Sequence, residues 1–171
     1  SMTEGQPYSS SAFDITSAVL GLSRRITVWV PDEARSAPRG PVLYLNDGQN
    51  LFESARAYTG VTWRVAETAA WLIERRLIPP LVIVGIDHGE LRRAREYLPV
   101  EDDRNPHARG PLAPEYASFV TTELMPFIER EYPVGKVLVE SNLDRPLGAQ
   151  VISPEGDRVA LVSGRRGANG G

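Results

Sequence analysis

Two histidines and several carboxylates lie in one charged segment that follows an apolar, strand-like run. Asp87, His88 and Glu90 come directly after this run, and His107 follows later in the same segment. Imidazole and carboxylate groups are ligands for zinc and other divalent metals, and a bound metal can generate hydroxide at neutral pH. These residue types therefore predict a metal site formed by Asp87, His88, Glu90 and His107, with His88 also acting as a catalytic group.

The same residues fit a simpler interpretation, which their spacing favours. In it both histidines are solvated loop residues, and acidic side chains such as the cluster at 101–103 balance nearby arginines. A zinc site of the HExxH type needs two histidines at a fixed helical spacing, and the chain has no such pair. A divalent metal such as zinc is thus one of two alternatives, and nothing in the sequence indicates an organic cofactor.

The polar sequence NDGQN at 46–50 is a second candidate, because it ends the apolar run 42–45. Such a run followed by turn residues predicts a buried strand, and open α/β sheets bind ligands where their strands end. Asp47 and Gln49 are therefore predicted to border a catalytic site. Asp47 can also face His88 as a metal ligand if their two strands are neighbours. The alternative is a retained turn without a chemical role.

Charged residues just after His88 form a third group. Asp87 is followed by Arg92, Arg93 and Arg95 and by the pair Glu96-Tyr97. Mixed charges this close in sequence predict ion pairs and hydrogen bonds that pin the loop, in preference to a catalytic role.

A strand, a helix and a second strand must position these candidates. The apolar residues between 62 and 76 recur every three to four positions, which predicts a helix with Thr62 as its N-cap. The run LVIVGI at 81–86 is apolar throughout, as in strands buried on both faces of a parallel sheet. Together with the strand at 42–45 they form a βαβ unit, whose crossover should be right-handed.

The remaining elements are predicted from alternation, prolines and turns. Residues 1–12 are polar and predict a frayed end, while the residues from 13 to 30 predict an antiparallel hairpin around Gly21. A helix is predicted from Pro114 to Tyr132, kinked by Pro126. A strand is predicted at 137–139, and a β-hairpin at 150–152 and 158–162.

Composition limits the class of protein. The 171 residues include no cysteine, carry a net charge of −3 and are 42% hydrophobic, which is typical of one soluble domain. The charge argues against a nucleic-acid or membrane-surface role, and no apolar run is long enough to span a bilayer. No signal peptide follows the first residues, so a cytoplasmic location is expected.

Five pieces in order resemble the esterase D and enterochelin-esterase branch of the α/β-hydrolases. They are RRITVWVPD (24–32), PVLYLNDGQNLF (41–52), WRVAETAAWLIERRLIPPLVIVGID (63–87), REYLP (95–99) and YASFVTTELMPFIEREYPV (116–134). The resemblance implies a mostly parallel sheet flanked by helices, and ester or thioester hydrolysis by a Ser-His-Asp triad. It also implies that the turn after VLYLN supplies an oxyanion-hole amide, here the N–H near Gln49.

The chain departs from the family pattern where the nucleophile is expected. The family carries a G-x-S-x-G elbow at this point, but Ser141 has Val139 and Leu143 in place of the two glycines. No later Asp–His pair follows, since His107 is the last histidine. A normal triad is therefore not expected, and a bound metal would replace the serine.

The tail predicts a second origin. The residues VISPEGDRVALVSGRRG at 151–167 resemble one inter-strand turn of a TolB-like β-propeller blade. This resemblance implies a family core at 25–134 joined to a tail, 135–171, from outside the family, within a single domain.

The expected fold is α/β: a truncated α/β-hydrolase three-layer sandwich with a mostly parallel sheet, an N-terminal antiparallel hairpin and a C-terminal β-hairpin. Missing family strands would leave an apolar sheet edge, which the tail hairpin or a second copy must cover, so a homodimer is expected. Two functions remain open. One is metal-assisted hydrolysis of small activated carboxylic or phosphate esters; the other is a non-catalytic fragment without turnover.

Overall fold

The computed structural model describes residues 7–36, 40–52, 64–97, 112–138, 150–152 and 158–162. Within these segments six strands form one sheet in the order β1-β2-β4-β3-β7-β6, and a seventh, β5, also pairs with β3. The strands are β1 (Tyr8–Ser17), β2 (Leu22–Pro31), β3 (Gly40–Asn46), β4 (Val82–Ile86), β5 (Val134–Leu138), β6 (Gln150–Ile152) and β7 (Arg158–Val162).

The N-terminal hairpin predicted from the sequence is confirmed. β1 and β2 pair antiparallel over ten residues each, from Tyr8 opposite Pro31 to Ser17 opposite Leu22. Gly21 closes the turn with a φ of +70°, a conformation that glycine adopts without strain. The expectation of a frayed end over 1–12 was wrong beyond Pro7, because the ladder with β2 binds the backbone of β1 from Tyr8 onward.

The predicted βαβ unit is also confirmed. β3 and β4 pair parallel, with Val42 opposite Val82 and Asn46 opposite Ile86, so both strands end at the same sheet edge. The sheet is mixed, however, and not mostly parallel as expected. Among the described strands three pairings are parallel, all of them with β3, and three are antiparallel. The antiparallel entry of β2 beside β4 accounts for much of the difference.

Helices pack on both faces of the sheet. α2 (Val65–Glu74) places Ala66, Ala69 and Ile73 against one face, where they meet Trp29 and Ile83. The predicted helix over 62–76 is thus confirmed for its main part, while Thr62 lies outside the described residues. Two short helices, α1 (Asp32–Ser36) and α3 (Arg93–Tyr97), lie in connections between longer elements, and α3 lies in the charged segment that was expected to be a loop.

The opposite face is covered by one long helical segment with a change of hydrogen-bond pattern. It consists of α4 (Ala113–Ser118), a π-helical stretch (Phe119–Leu124) and α5 (Met125–Glu131). The Met125 N–H bonds to the Val120 carbonyl, five residues back, directly before Pro126. Proline has no N–H to continue the normal ladder, so the expected disturbance at Pro126 takes the form of a π-helical stretch.

The outer edge of β3 is shared by two strands. β5 pairs with its first half, Gly40 opposite Val134 and Val42 opposite Leu138, while β7 pairs with Tyr44 and Leu45. The predicted tail hairpin is confirmed as β6 and β7, and it covers part of this edge as expected. The strand predicted at 137–139 begins earlier, at Val134. Nothing in the described residues supports the resemblance of the tail to a propeller blade.

The described helices include none with the length and apolar character needed to cross a membrane.

Candidate functional site

The segment 46–50, called the β3 turn below, leaves the sheet at the edge where β3 and β4 end. Asp47 adopts the left-handed conformation with φ of 55° and ψ of 46°, and Gly48–Asn50 form a single 3-10 turn. The Leu51 N–H closes this turn on the Gly48 carbonyl at 3.2 Å. The β3 turn therefore occupies the position at which open α/β sheets bind ligands.

Backbone contact with β4 fixes the β3 turn in place. A Cβ atom on Gly48 would lie 2.8 Å from the Gly85 carbonyl carbon and 2.8 Å from the Ile86 nitrogen. Real Cβ atoms do not approach backbone atoms this closely, so a side chain at this position would push the turn off the strand. Glycine at 48 is required by this close approach.

Asp47 is held by a two-point ion pair with Arg93, the first residue of α3. Arg93 Nε donates to Asp47 Oδ1 at 2.8 Å, and the terminal Nη2 donates to Oδ2 at 2.7 Å. The Asp47 side chain is only 3% exposed. The hydrogen bond to Asp47 raises the pKa of Arg93, and the guanidinium also lies 5.0 Å from the ring centroid of Tyr97. The pair is thus charged, directional and nearly buried, which is the strong form of such an interaction.

Gln49 and His88 are joined across the end of β4. The His88 backbone N–H donates to Gln49 Oε1 at 3.1 Å, and His88 Nδ1 accepts the backbone N–H of Glu90 at 2.7 Å. A ring nitrogen that accepts an amide proton is itself unprotonated, so neutral His88 carries its proton on Nε2. His88 is partly exposed and lies next to the turn, where an Nε2–H can donate to a bound molecule.

The Asn46 side chain is hydrogen-bonded to a tyrosine of an aromatic cluster. The Tyr116 hydroxyl donates to Asn46 Oδ1, and the Tyr116 ring contacts Tyr97 edge-on with centroids 5.4 Å apart. Burial raises the pKa of Tyr116 and of Tyr97, so both phenols are neutral at physiological pH. Asn46, Asp47 and Gln49 are thus each held by a different part of the chain.

A second buried ion pair anchors the segment that carries Arg93. Arg24 donates to both oxygens of Glu96, at 2.9 Å and 2.6 Å, and Arg92 lies 3.8 Å from the same carboxylate. Burial opposes the charge on Arg24, but the hydrogen bond and charge of Glu96 outweigh it and raise the Arg24 pKa. The predicted network that pins the loop is confirmed in part. Arg92 approaches Glu96 as expected, but Arg93 reaches Asp47 and the main partner of Glu96 is Arg24.

The predicted metal site receives no support from the described residues. They contain no group of three or more His, Asp or Glu side chains placed to hold a metal ion. Asp47 is engaged with Arg93, and His88 has its Nδ1 lone pair directed at Glu90 N–H, which leaves a proton on the other nitrogen. His107 and the acidic cluster at 101–103 lie outside the described residues. The site formed by Asp87, His88, Glu90 and His107 therefore stays a prediction.

The predicted loss of the serine elbow also stays a prediction. Ser141, Val139 and Leu143 all lie outside the described residues.

Two residues that shape the site were missed by the sequence analysis. Arg24 was noted only as part of the piece RRITVWVPD, and Tyr116 only as part of the predicted helix from Pro114 to Tyr132. β2 pairs antiparallel with β4, with Ile26 opposite Ile86. This register brings Arg24 to the sheet edge at which β4 ends and Asp87 follows. A pair of arginines at the start of the apolar run of β2 was the one signal available for Arg24. A tyrosine among phenylalanines and leucines was the signal for Tyr116, since its hydroxyl needs a partner when buried.

A protein-family model matches most of this chain. Residues 17–139 match the model of the family described as "Putative esterase". A comparison with curated proteins gives no match.

Solved structures show the same fold in longer proteins. An IroE-like serine hydrolase from Shewanella oneidensis is 24% identical with a TM-score of 0.61, over 75% of this chain and 40% of that one. The enterobactin esterase FES from Shigella flexneri is 21% identical with a TM-score of 0.53, over 75% and 27%. The BES protein from Bacillus cereus is 20% identical with a TM-score of 0.53, over 79% and 49%. The chain therefore spans less than half the length of each of these three proteins.

Proposed function

The chain belongs to the esterase family that residues 17–139 match, and on that premise we propose that it hydrolyses small activated esters of carboxylic acids. The observation that carries the proposal is the β3 turn, which is held at three successive side chains and pressed against β4. A turn fixed in this way is suited to binding the carbonyl oxygen of an ester.

The chemical argument concerns charge that develops during the reaction. When a nucleophile adds to an ester carbonyl, the oxygen becomes negative, and a donor already in position stabilises it without further rearrangement. The resemblance to esterases implies that this donor is the N–H near Gln49. Loss of one such donor typically lowers kcat by about 10²–10³-fold.

The described residues do not include an activated nucleophile for the ester carbonyl. Within them no serine is hydrogen-bonded to His88, whose bonds run to Glu90 and Gln49. Activated esters have good leaving groups and need little help from a general acid, which is why the proposal is limited to them. Water from solvent is the simplest attacking group: its oxygen bonds to the carbonyl carbon, its proton passes to solvent, and the bond from the carbonyl carbon to the leaving group breaks. The Nε2–H of His88 would act as a second donor to the substrate.

Two substitutions at one position test whether the amide takes part. Gln49→Pro removes both the backbone N–H and the side chain, while Gln49→Ala removes the side chain alone. Proline suits the φ of a 3-10 turn, so the backbone path is retained. Hydrolysis of p-nitrophenyl acetate should fall by about 10²-fold or more in Gln49→Pro relative to Gln49→Ala. Equal rates in the two variants would count against the donor role.

A distant substitution and the uncatalysed rate complete the assay. Glu74→Gln lies at the end of α2 with an 82% exposed side chain, before β4 starts, and should match the unmodified protein. A chain no faster than buffer alone would reject turnover. The second candidate function, a non-catalytic fragment, would then stand. This second function is favoured because no nucleophile among the described residues contacts His88.

Metal assistance by Asp87, His88, Glu90 and His107 is kept as a separate proposal with its own test. If a divalent metal such as zinc supplies hydroxide, chelation and His88→Ala should each abolish hydrolysis, and mass spectrometry should find the metal in stoichiometric amount. Full activity after chelation rejects this route while leaving the turn-based proposal intact. The same assays with p-nitrophenyl phosphate decide between carboxylic and phosphate esters.

A further inference from the structure

We infer that Arg93 is a positioning residue, which holds Asp47 in its left-handed conformation and thereby sets the direction of the peptide groups at Gly48 and Gln49. The inference rests on the proposed function in one respect, namely that the β3 turn binds the ester oxygen. Arg93 itself acts through Asp47 and is not assigned any contact with substrate.

The backbone of Asp47 is the reason that a clamp matters. Its φ of 55° is disfavoured for residues with a side chain, because the Cβ approaches the following carbonyl oxygen. Aspartate tolerates this region better than most residues, but it does not prefer it. Without an external contact Asp47 can return to a negative φ, and the peptide group that follows would then rotate. The conformation therefore depends on whatever holds the carboxylate.

The Arg93 side chain has the geometry to hold the Asp47 carboxylate. Two parallel hydrogen bonds of 2.8 Å and 2.7 Å define the plane of the carboxylate as well as its position. The Arg93 guanidinium is itself fixed, because it lies over the ring of Tyr97. Arg93 is also the first residue of α3. The segment carrying it is anchored independently by the pair between Arg24 and Glu96. A rigid fork on an anchored helix can impose a conformation that a flexible cation cannot.

The neighbouring arginine provides a matched control. Arg92 is 30% exposed and Arg93 is 23% exposed, so both side chains are partly solvated. Arg92 donates to the Leu20 carbonyl at 3.3 Å and approaches Glu96, neither of which belongs to the β3 turn. Each substitution removes one arginine from the same segment, but only the loss of Arg93 removes the two hydrogen bonds to Asp47.

The test compares Arg93→Ala, Arg93→Lys and Arg92→Ala in the full chain. Arg93→Ala should lower kcat for p-nitrophenyl acetate by about 10²-fold with a much smaller change in KM, as expected for a misplaced donor. Arg93→Lys should recover only part of this loss, since an ammonium group cannot form the two-point contact. Arg92→Ala should leave kcat and KM near those of the unmodified protein. An equal loss in Arg92→Ala would overturn the inference.

A second readout does not depend on turnover. The amide NMR signals of Gly48 and Gln49 should shift in Arg93→Ala and stay in place in Arg92→Ala. If the unmodified protein has no esterase activity, the proposed function fails but this comparison still decides the role of Arg93. Unchanged signals in a folded Arg93→Ala variant would reject it.

A double-substitution cycle shows whether Arg93 acts through Asp47. Asp47→Asn keeps the size of the side chain and its tolerance of positive φ while removing the charge. In that background Arg93→Ala should have a smaller further effect on the Gly48 and Gln49 signals, because asparagine can no longer accept both hydrogen bonds from Arg93. Additive effects would show that Arg93 acts by another route. The Asp47→Asn variant also replaces Arg93→Ala if the latter does not fold.

Discussion

At the scale of single residues, close contact and burial determine which positions tolerate change. Gly48 touches the backbone of β4, whereas Gly21 lies in a turn where an added Cβ would meet no atom within 4 Å. Glycine is needed at the two positions for different reasons, the first steric and the second conformational. Substitution of either glycine should therefore destabilise the protein, but for different reasons and with different effects on the site.

Alanine substitution of the two glycines tests this distinction. Gly48→Ala should destabilise the protein by about 1–3 kcal/mol through overpacking, and Gly21→Ala by about 1–2 kcal/mol through its positive φ. Urea denaturation measures both. Only Gly48→Ala should also shift the NMR signals of Gln49 and reduce ester hydrolysis. An unperturbed turn in Gly48→Ala would contradict the close packing of Gly48 on Gly85.

The ion pair between Arg24 and Glu96 should be sensitive to loss of one partner. Glu96 is fully buried, so Glu96→Gln leaves the Arg24 charge without its counterion, at a cost of about 3–5 kcal/mol. The exposed Glu74→Gln variant should stay within about 0.5 kcal/mol of the unmodified protein. Replacing both partners with apolar residues, as in Arg24→Met with Glu96→Leu, should restore part of the loss. Denaturant midpoints for the four proteins give the comparison.

At the scale of elements, the strand that covers β3 decides whether the sheet keeps an open edge. Among the described strands β7 pairs with Tyr44 and Leu45 of β3, while β6 pairs with β7 alone. An open parallel edge presents unpaired N–H and C=O groups to other chains. The two tail strands should therefore differ in their importance, although they form one hairpin.

Proline substitution in each tail strand tests this difference. Leu161→Pro removes an N–H from β7 and should release it from β3, lowering stability and promoting self-association. Val151→Pro interrupts β6, which lies at the outer edge, and should have a smaller effect. Thermal unfolding and light scattering measure the two outcomes. Equal behaviour of the variants would mean that β7 does not protect the edge of β3.

The elements also show how far the sequence could predict this fold. The strand at 82–86 and helix α2 were predictable because their apolar patterns are local. The antiparallel entry of β2 was not, because it depends on a register between Ile26 and Ile86 that no short segment encodes. The same register decides that Arg24 meets Glu96, 72 residues away, so the partners of the pinning network could not be assigned. Asp47 and Gln49 were found because a turn after an apolar strand is itself a local pattern.

At the scale of the whole molecule, three buried tyrosines make the stability of the fold depend on pH in the alkaline range. Burial raises the pKa of Tyr44, Tyr97 and Tyr116 above the ordinary value of 10.0. In the unfolded chain these phenols ionise near pH 10, while in the folded protein they stay neutral. Ionisation therefore favours the unfolded state, so stability should be unaffected below about pH 10 and fall as the pH rises further.

An alkaline titration checks this linkage. Ultraviolet absorbance of ionised tyrosine should rise for these three residues only together with unfolding, as followed by circular dichroism. The Tyr44 hydroxyl has no hydrogen-bond partner among the described residues, so Tyr44→Phe should be tolerated at neutral pH. It should also weaken the dependence of stability on pH above 10. Titration of all tyrosines before unfolding would contradict the burial of this cluster.

The oligomeric state is also a property of the whole molecule, and the homodimer expected from the sequence stays a prediction. Size-exclusion chromatography with light scattering should give twice the 18.8 kDa of one chain. A uniform species of 18.8 kDa would instead mean that one chain covers its own sheet edge.

The β3 turn depends on contacts between distant parts of the chain. Gln49, Asp47 and Asn46 meet partners that are 39, 46 and 70 residues further along. Closing loops of this length is slow compared with forming a helix or a hairpin, because the chain loses entropy before the contacts form. On refolding, the secondary structure should therefore return first, and the binding geometry should appear only in the last kinetic phase.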